Sequence, residues 1–216
     1  TAELAIALML SCARALPQAM QNIKDGRWQE ALPLGWALEG KCLGIVGLGK
    51  LGSRVARIAQ AIGMDTVAWS QNLTTEKASE HGVKRVEKSE LFALADVVSV
   101  HLTLSDRTGG VIGREELSRM KPGAILVNTS RGPLVDEAAL LEALESKRII
   151  AGLDVYDVEP LRENHPFRSL PNVIATPHLG YVVDDALRHL YQENVANVLA
   201  YLAGTPQRLK NLAAGS

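Results

Sequence analysis

The sequence predicts an α/β protein, a doubly wound parallel sheet (Rossmann type) flanked by helices. Three observations carry that prediction. From Lys41 onward short β-rich runs alternate with helical patterns. Those runs are almost continuously apolar, as strands covered on both faces are. A glycine-rich turn, Gly47-Leu48-Gly49-Lys50-Leu51-Gly52, joins the first run to an amphipathic stretch.

The elements follow in order. Ala2 to Ile23 has helical spacing, with Leu4, Leu8 and Cys12 joined by Ala5, Met9, Leu16 and Met20. It is apolar on more than one face, which predicts burial on one side by its own domain and on another by a partner. Asp25-Gly26-Arg27-Trp28 ends it, and a loop through Pro33 and Gly35 follows. Strands are expected at Cys42–Val46, Thr66–Trp69, Val83–Val86, Val97–His101, Ala124–Asn128, Ile149–Leu153 and Val173–Ala175. Helices are expected at Ser53–Ile62, Glu115–Met120 and Glu137–Glu145. Right-handed crossovers between such elements build a doubly wound sheet. A last long helix is expected from Asp184 to Leu202. The expected organisation is a dinucleotide-binding domain over 1–183 and a C-terminal helix with its tail over 184–216.

Composition narrows the function classes. The chain has 216 residues, is 47% hydrophobic and carries a formal net charge of -1. No basic excess points to nucleic acid. The apolar stretch Leu4 to Leu10 is too short to span a bilayer and lacks a basic leader, so no membrane association is expected. Cys12 and Cys42 match no metal spacing, so no metal is expected and a reduced cytoplasmic protein is. The first residue is Thr1 rather than Met, which suggests a processed or truncated product.

The glycine turn has a specific chemistry. Gly47 allows the tight turn, Gly49 removes a side chain where a pyrophosphate approaches the backbone, and Gly52 lets the helix press on the strand. Exposed N–H groups and the helix dipole favour an anion there. The bland alternative is a turn that merely connects two packed elements.

Other polar residues fall where strands run out. Asn128-Thr129-Ser130-Arg131-Gly132 follows one strand, Asp154 and then Glu159-Pro160 follow the next, and Thr176-Pro177-His178-Leu179-Gly180 follows the last. In a parallel sheet these ends share the edge that carries the glycine turn. An Arg, a Glu and a His can therefore meet beside one dinucleotide. Hydride transfer between a nicotinamide and a carbonyl needs an acid for the forming alkoxide. A His supplies it near neutral pH when a carboxylate stabilises its protonated form. An Arg clamps a substrate carboxylate with two hydrogen bonds. The implied substrate is a 2-oxo or 2-hydroxy acid. Singly, each has a plainer reading: His178 as a helix cap, Arg131 as a solvated turn residue, Glu159 as a loop acid. His81, His165 and His189 read as surface residues, and His101 as a strand end whose backbone lines the cleft.

With these residues in place, the chain resembles the NAD-dependent D-isomer-specific 2-hydroxyacid dehydrogenases, which include D-3-phosphoglycerate dehydrogenase and the glyoxylate/hydroxypyruvate reductases. The likeness runs from about Glu3 to about Asn211. It rests on Leu38-Glu39-Gly40-Lys41 before the glycine turn, His101-Leu102-Thr103-Leu104 with Thr108, Met120-Lys121-Pro122-Gly123-Ala124, Asn128 to Gly132, Gly152-Leu153-Asp154-Val155-Tyr156 with Glu159-Pro160, and Thr176 to Gly180. The resemblance implies that Arg131 holds the substrate carboxylate, that His178 is the acid/base and that Glu159 pairs with it. It implies that Asp154 contacts the nicotinamide amide. It implies a cofactor lining of Gly47, Leu48, Gly49, Lys50, Leu51, Gly52, Ser70, His101, Leu102, Thr103, Thr108, Thr129, Ser130, Arg131, Asp154, His178 and Gly180. It also implies a homodimer built through the segment Ala2 to Ile23.

Three departures accompany it. Many family members carry an aspartate for the adenosine ribose where this chain has Ser70, followed by Gln71 and Asn72: no carboxylate repels a 2′-phosphate and no Arg beside it attracts one, so NAD is the expected cofactor with NADP as the open alternative. Thr103 stands where the family usually has proline, and tolerance is expected. The family's N-terminal segment, most of its substrate domain, is absent from this sequence. The helix Asp184 to Leu202 is therefore expected to expose its apolar stripe or cover it with another chain, and the chain to turn over poorly alone. Two other functions compete: a non-catalytic dinucleotide-sensing or interaction module, and a related dehydrogenase of formate or phosphonate-like substrates.

Overall fold

In the computed structural model, which describes residues 1–206, seven strands lie in one sheet: β1 (Cys42–Val46), β2 (Asp65–Trp69), β3 (Lys84–Arg85), β4 (Val97–Val100), β5 (Ile125–Asn128), β6 (Ile150–Leu153) and β7 (Val173–Ala175). Their order is β3-β2-β1-β4-β5-β6-β7, and every pairing is parallel. Strand order reverses between β1 and β4. Open sheets of this kind bind ligands at that reversal, outside the carboxyl ends of the strands. The predicted doubly wound sheet is the one observed.

Side-chain alternation along the strands feeds two cores. Ile45, Val97 and Ile125 face one side, where they join Met9 of α1 (Ala2–Ala13) and Val55 and Ala59 of α3 (Lys50–Ala61). Val46, Val98 and Leu126 face the other. There they pack with Leu91 and Phe92 of α5 (Lys88–Leu94), Leu117 of α6 (Arg114–Arg119) and Leu140 and Leu144 of α7 (Glu137–Glu145). Phe92, Leu117 and Leu144 are almost wholly removed from solvent, so each contributes about 2–3 kcal/mol of transfer free energy.

The opening segment differs from the single helix expected. It is α1 followed by α2 (Leu16–Lys24), broken at Ala15, whose φ is +48°. The left-handed residue and Pro17 in the first turn of α2 start a new axis. The two helices divide the predicted apolarity. Ala5, Met9 and Cys12 of α1 are buried by this chain itself, whereas Leu16, Met20 and Ile23 of α2 are exposed. Gly152 of β6 lets α1 lie close, since a Cβ there would stand 3.0 Å from that of Leu8.

Smaller differences have local causes. Helix α3 begins at Lys50, three residues before the expected start, because Gly49 takes the extended N-cap conformation. Strand β3 shrinks to two residues, as only Lys84 and Arg85 pair with β2. The sequence reading missed α4 (Thr75–Ser79) and α5, each two turns or fewer and too short to show a period. His165 is not a surface residue. Its ring packs on Phe167 at 4.6 Å, its Nδ1 accepts the Phe167 N–H, and its Nε2 lies 3.3 Å from Glu137 Oε1.

The chain divides into two compact units, residues 1–180 and a second beginning at Tyr181. The second contains α8 (Asp184–Leu202), with the bounds expected, and none of that helix is buried. Tyr191, Val195, Val198 and Leu199 are exposed along it. The tail expected to 216, and the likeness to Asn211, extend beyond the described residues.

Candidate active site

The predicted residues follow the carboxyl ends of the strands: the glycine turn after β1, Ser70 after β2, His101 after β4, Arg131 after β5, Asp154 and Glu159 after β6, and His178 after β7. Gly47 leaves β1 with φ +102°, and its N–H binds Trp69 O at 2.8 Å, which ties the turn to the end of β2. A Cβ on Gly47 would lie 2.8 Å from the carbonyl carbon and oxygen of His101, so the turn and the loop after β4 meet backbone to backbone. Leu102 packs at the same point. A Cβ on Gly52 would lie 2.2 Å from Gly47 O, which demands glycine where α3 crosses the strand. Gly49 behaves differently: among the described residues nothing lies within 4 Å of the position a Cβ would take. No side chain of the described residues caps α3, and Leu48, Lys50 and Leu51 stand at its open start.

Those features fit a dinucleotide. The open space at Gly49 faces an uncapped helix start, where orphan N–H groups and the dipole attract a phosphate. Thr129 Oγ1 and His101 Nδ1, from the ends of β5 and β4, are buried side-chain atoms without a hydrogen-bond partner among the described residues. Buried polar atoms are ordinarily paired, so both are available to a bound group. His101 Nε2 lies 2.8 Å from Ser99 Oγ. Burial, with a smaller contribution from the amino group of Thr1, pushes the His101 pKa down to about 4. Its ring is neutral at physiological pH.

Ser70 follows β2, half-buried, beside this turn. Sequence proximity brought no arginine to it, but the fold brings Arg85 of β3 to the same loop. Arg85 Nε donates to Leu73 O at 3.1 Å, and Arg85 pairs with Glu87 at 2.8 Å. Thr103 and Thr108 close the loop after β4 on itself: Thr108 Oγ1 donates to Thr103 O at 2.7 Å and accepts the Ser105 N–H at 2.8 Å. The Thr108 hydroxyl is thus engaged within its own loop.

The loop after β5 is shaped by Asn128. Its Oδ1 accepts the Ser130 N–H and its Nδ2 donates to Arg131 O, while Ser130 Oγ donates to Val100 O at 2.7 Å. Arg131 is exposed and donates one bond, from Nη1, to Ser130 O. Gly132 is wedged against the next loop: a Cβ there would lie 2.1 Å from the carbonyl carbon of Tyr156.

That next loop carries Glu159, ahead of a cis bond to Pro160. Glu159 Oε1 accepts the Tyr156 N–H at 3.0 Å, and Oε2 accepts from His178 Nδ1 at 2.6 Å. Burial alone raises the Glu159 pKa. The hydrogen bonds from His178 and Tyr156, and the charges of His178 and Arg131, outweigh it and hold the carboxyl below its ordinary range. A cavity of about 580 Å³ opens beside the pair, lined by Tyr156, Glu159, Leu161, Thr176 and His178 among others. The structure therefore unites His178 with Glu159 and puts the Arg131 charge within their influence. The sequence reading missed Asn128 and the Tyr156 N–H as supports. The alternation of turn residues gives no signal of which backbone donor faces which acid.

Comparison with known proteins identifies the family. The family model described as D-isomer specific 2-hydroxyacid dehydrogenase, NAD binding domain, matches residues 6–180. A D-3-phosphoglycerate dehydrogenase of Archaeoglobus fulgidus is 41% identical over 201 residues, covering 93% of this chain and 37% of the relative. A hydroxypyruvate reductase of Thermotoga maritima is 39% identical, covering 93% of this chain and 66% of the relative. A crystal structure of D-lactate dehydrogenase from Aquifex aeolicus, complexed with NAD and lactic acid, superposes with a TM-score of 0.84. It is 29% identical and is matched over 94% of this chain and 66% of that one. The chain thus spans between about a third and two thirds of the lengths of these relatives.

Proposed function

From the premise that the chain belongs to the D-isomer specific 2-hydroxyacid dehydrogenases and carries their NAD-binding domain, we propose that it serves an enzyme that interconverts a 2-oxo acid and a D-2-hydroxy acid. The observation that carries this reading is the 2.6 Å bond between His178 Nδ1 and Glu159 Oε2, beside Arg131 and at the edge that bears the glycine turn. A pure binding module has no use for that constellation.

Bound NAD supplies the hydride chemistry at the carbon that carries the hydroxyl. The protein's part is binding, orientation and one proton. The uncapped start of α3 and the open space at Gly49 would hold the pyrophosphate. Arg131 offers its fork to the substrate carboxylate and polarises the neighbouring carbonyl. His178 keeps Nδ1 on Glu159, so Nε2 is the ring atom that gives the proton to the forming alkoxide and takes it back in reverse. Glu159, ionised at neutral pH, stabilises the imidazolium form.

A His178→Ala variant tests the reading by nicotinamide fluorescence and turnover with hydroxypyruvate or glyoxylate, in the chain joined to its complementary substrate domain. Retained NADH binding with turnover down by about 100-fold or more supports it. Unchanged turnover rules it out.

The partner in this reading is a second copy, docked through the exposed Leu16, Met20 and Ile23 of α2. Sedimentation of a Met20→Asp variant as a dimer would count against that interface. A cytoplasmic setting fits the two unpaired cysteines, Cys12 and Cys42.

A further inference from the structure

Asp154 stands at the end of β6 with no exposed surface. A carboxylate so placed is costly unless hydrogen-bonded. Its partners are specific. Oδ1 accepts from Thr176 Oγ1 at 2.6 Å and from the Leu179 N–H at 2.7 Å, and Oδ2 accepts the Gly180 N–H at 2.8 Å. All three donors lie in the five residues that carry His178, two positions before it and one and two after. His178 itself has φ +55°, a left-handed conformation that costs a non-glycine residue about 1 kcal/mol. Its N–H reaches back to Thr176 O at 3.0 Å, which closes the bend. The space is also shaped for this arrangement, since a Cβ on Gly180 would press within 3.2 Å of Asp154 Oδ2.

We propose that Asp154 is the positioning residue of His178. It grips the chain on both sides of the histidine, holds the strained bend, and thereby sets the imidazole on Glu159. The role given to Asp154 by family resemblance, a contact to the nicotinamide amide, is a different one. The inference rests on the reading of His178 as acid/base, but its geometry can be tested without turnover.

The test is NMR of the isotopically labelled full chain, following the low-field proton of His178 Nδ1 in its bond to Glu159, alongside NADH titration by fluorescence. Glu159→Gln identifies the signal. In Asp154→Asn the amide nitrogen faces donors and cannot accept, so at least one grip is lost. The expected result is loss of the Nδ1 proton signal with the NADH dissociation constant changed by less than about threefold. In the enzyme joined to its substrate domain, kcat falls by about 10- to 100-fold, as for other groups that orient a reacting side chain, with KM little changed. Persistence of the signal while NADH binding weakens by about tenfold overturns the proposal in favour of a cofactor contact. Should Asp154→Asn fail to fold, Thr176→Val removes one donor and leaves the carboxylate. A several-fold faster exchange of the Nδ1 proton is then expected, and an unchanged rate overturns the proposal. Absence of the signal from the unaltered chain overturns it as well. Failure of the unaltered chain to bind NADH counts against the proposed function alone.

Discussion

No side chain can stand at position 132, because a Cβ there would lie 2.1 Å from the carbonyl carbon of Tyr156. The contact locks two loops together. One presents Arg131. The other uses the Tyr156 N–H to hold Glu159. The spacing between Arg131 and Glu159 is therefore set by a glycine that has no side chain of its own.

Gly132→Ala tests that lock. Both clashing groups are backbone, so relief requires the loops to part. We expect a loss of about 3 kcal/mol or more in unfolding free energy, the range of severe overpacking, measured by denaturant titration. A variant as stable as the parent would show that the loops separate freely.

Gly49 and Gly52 separate two roles within one turn. Gly49 has extended dihedrals and open space where a Cβ would go. Gly49→Ala is expected to stay within about 0.5 kcal/mol of the parent in stability while NADH binding weakens by about tenfold or more. Gly52→Ala collides with Gly47 O and is expected to destabilise the fold itself. Equal stability losses in the two variants would contradict a ligand role for the space over Gly49.

Ser70 stands where the resemblance expects the ribose-holding aspartate, and Arg85 is held on the same loop by Leu73 O and Glu87. Ser70→Asp is expected to raise the ratio of NADPH to NADH dissociation constants by about tenfold or more, through repulsion of a 2′-phosphate. Fluorescence titration with both nucleotides reads it. A ratio that stays put would place the adenosine ribose elsewhere.

Burial of the His101 ring predicts an acid-sensitive stability. Its folded pKa is lowered to about 4 from an ordinary 6.5. Between those values the unfolded chain binds a proton that the folded chain refuses, so stability falls as pH drops from 6.5 to 4 and levels below. The whole effect is about 3 kcal/mol. Urea titrations across that window should show a shallower slope for His101→Gln. An identical slope would assign the acid sensitivity to other groups.

The sequence by itself determined what depends on near neighbours. Apolar runs and their separation specified the parallel sheet, the glycine turn specified the open start of α3, and the 19-residue α8 was read with its bounds. These signals are local: strand and helix periods, and the dihedral freedom of glycine, act over a few residues. His178, Glu159 and Arg131 were legible as candidates because parallel strands deliver their ends to one edge. Only the tertiary structure decided what each side chain meets there. It broke the opening segment at Ala15, seated His165 against Phe167, brought Arg85 to the loop after Ser70, and turned Asp154 toward the backbone around His178. Arg85 and Leu73 lie 12 residues apart, Asp154 and Gly180 lie 26 apart, and the sheet order that joins them is settled by packing on both faces. A hydrogen-bond partner across that distance leaves no periodic trace in the chain.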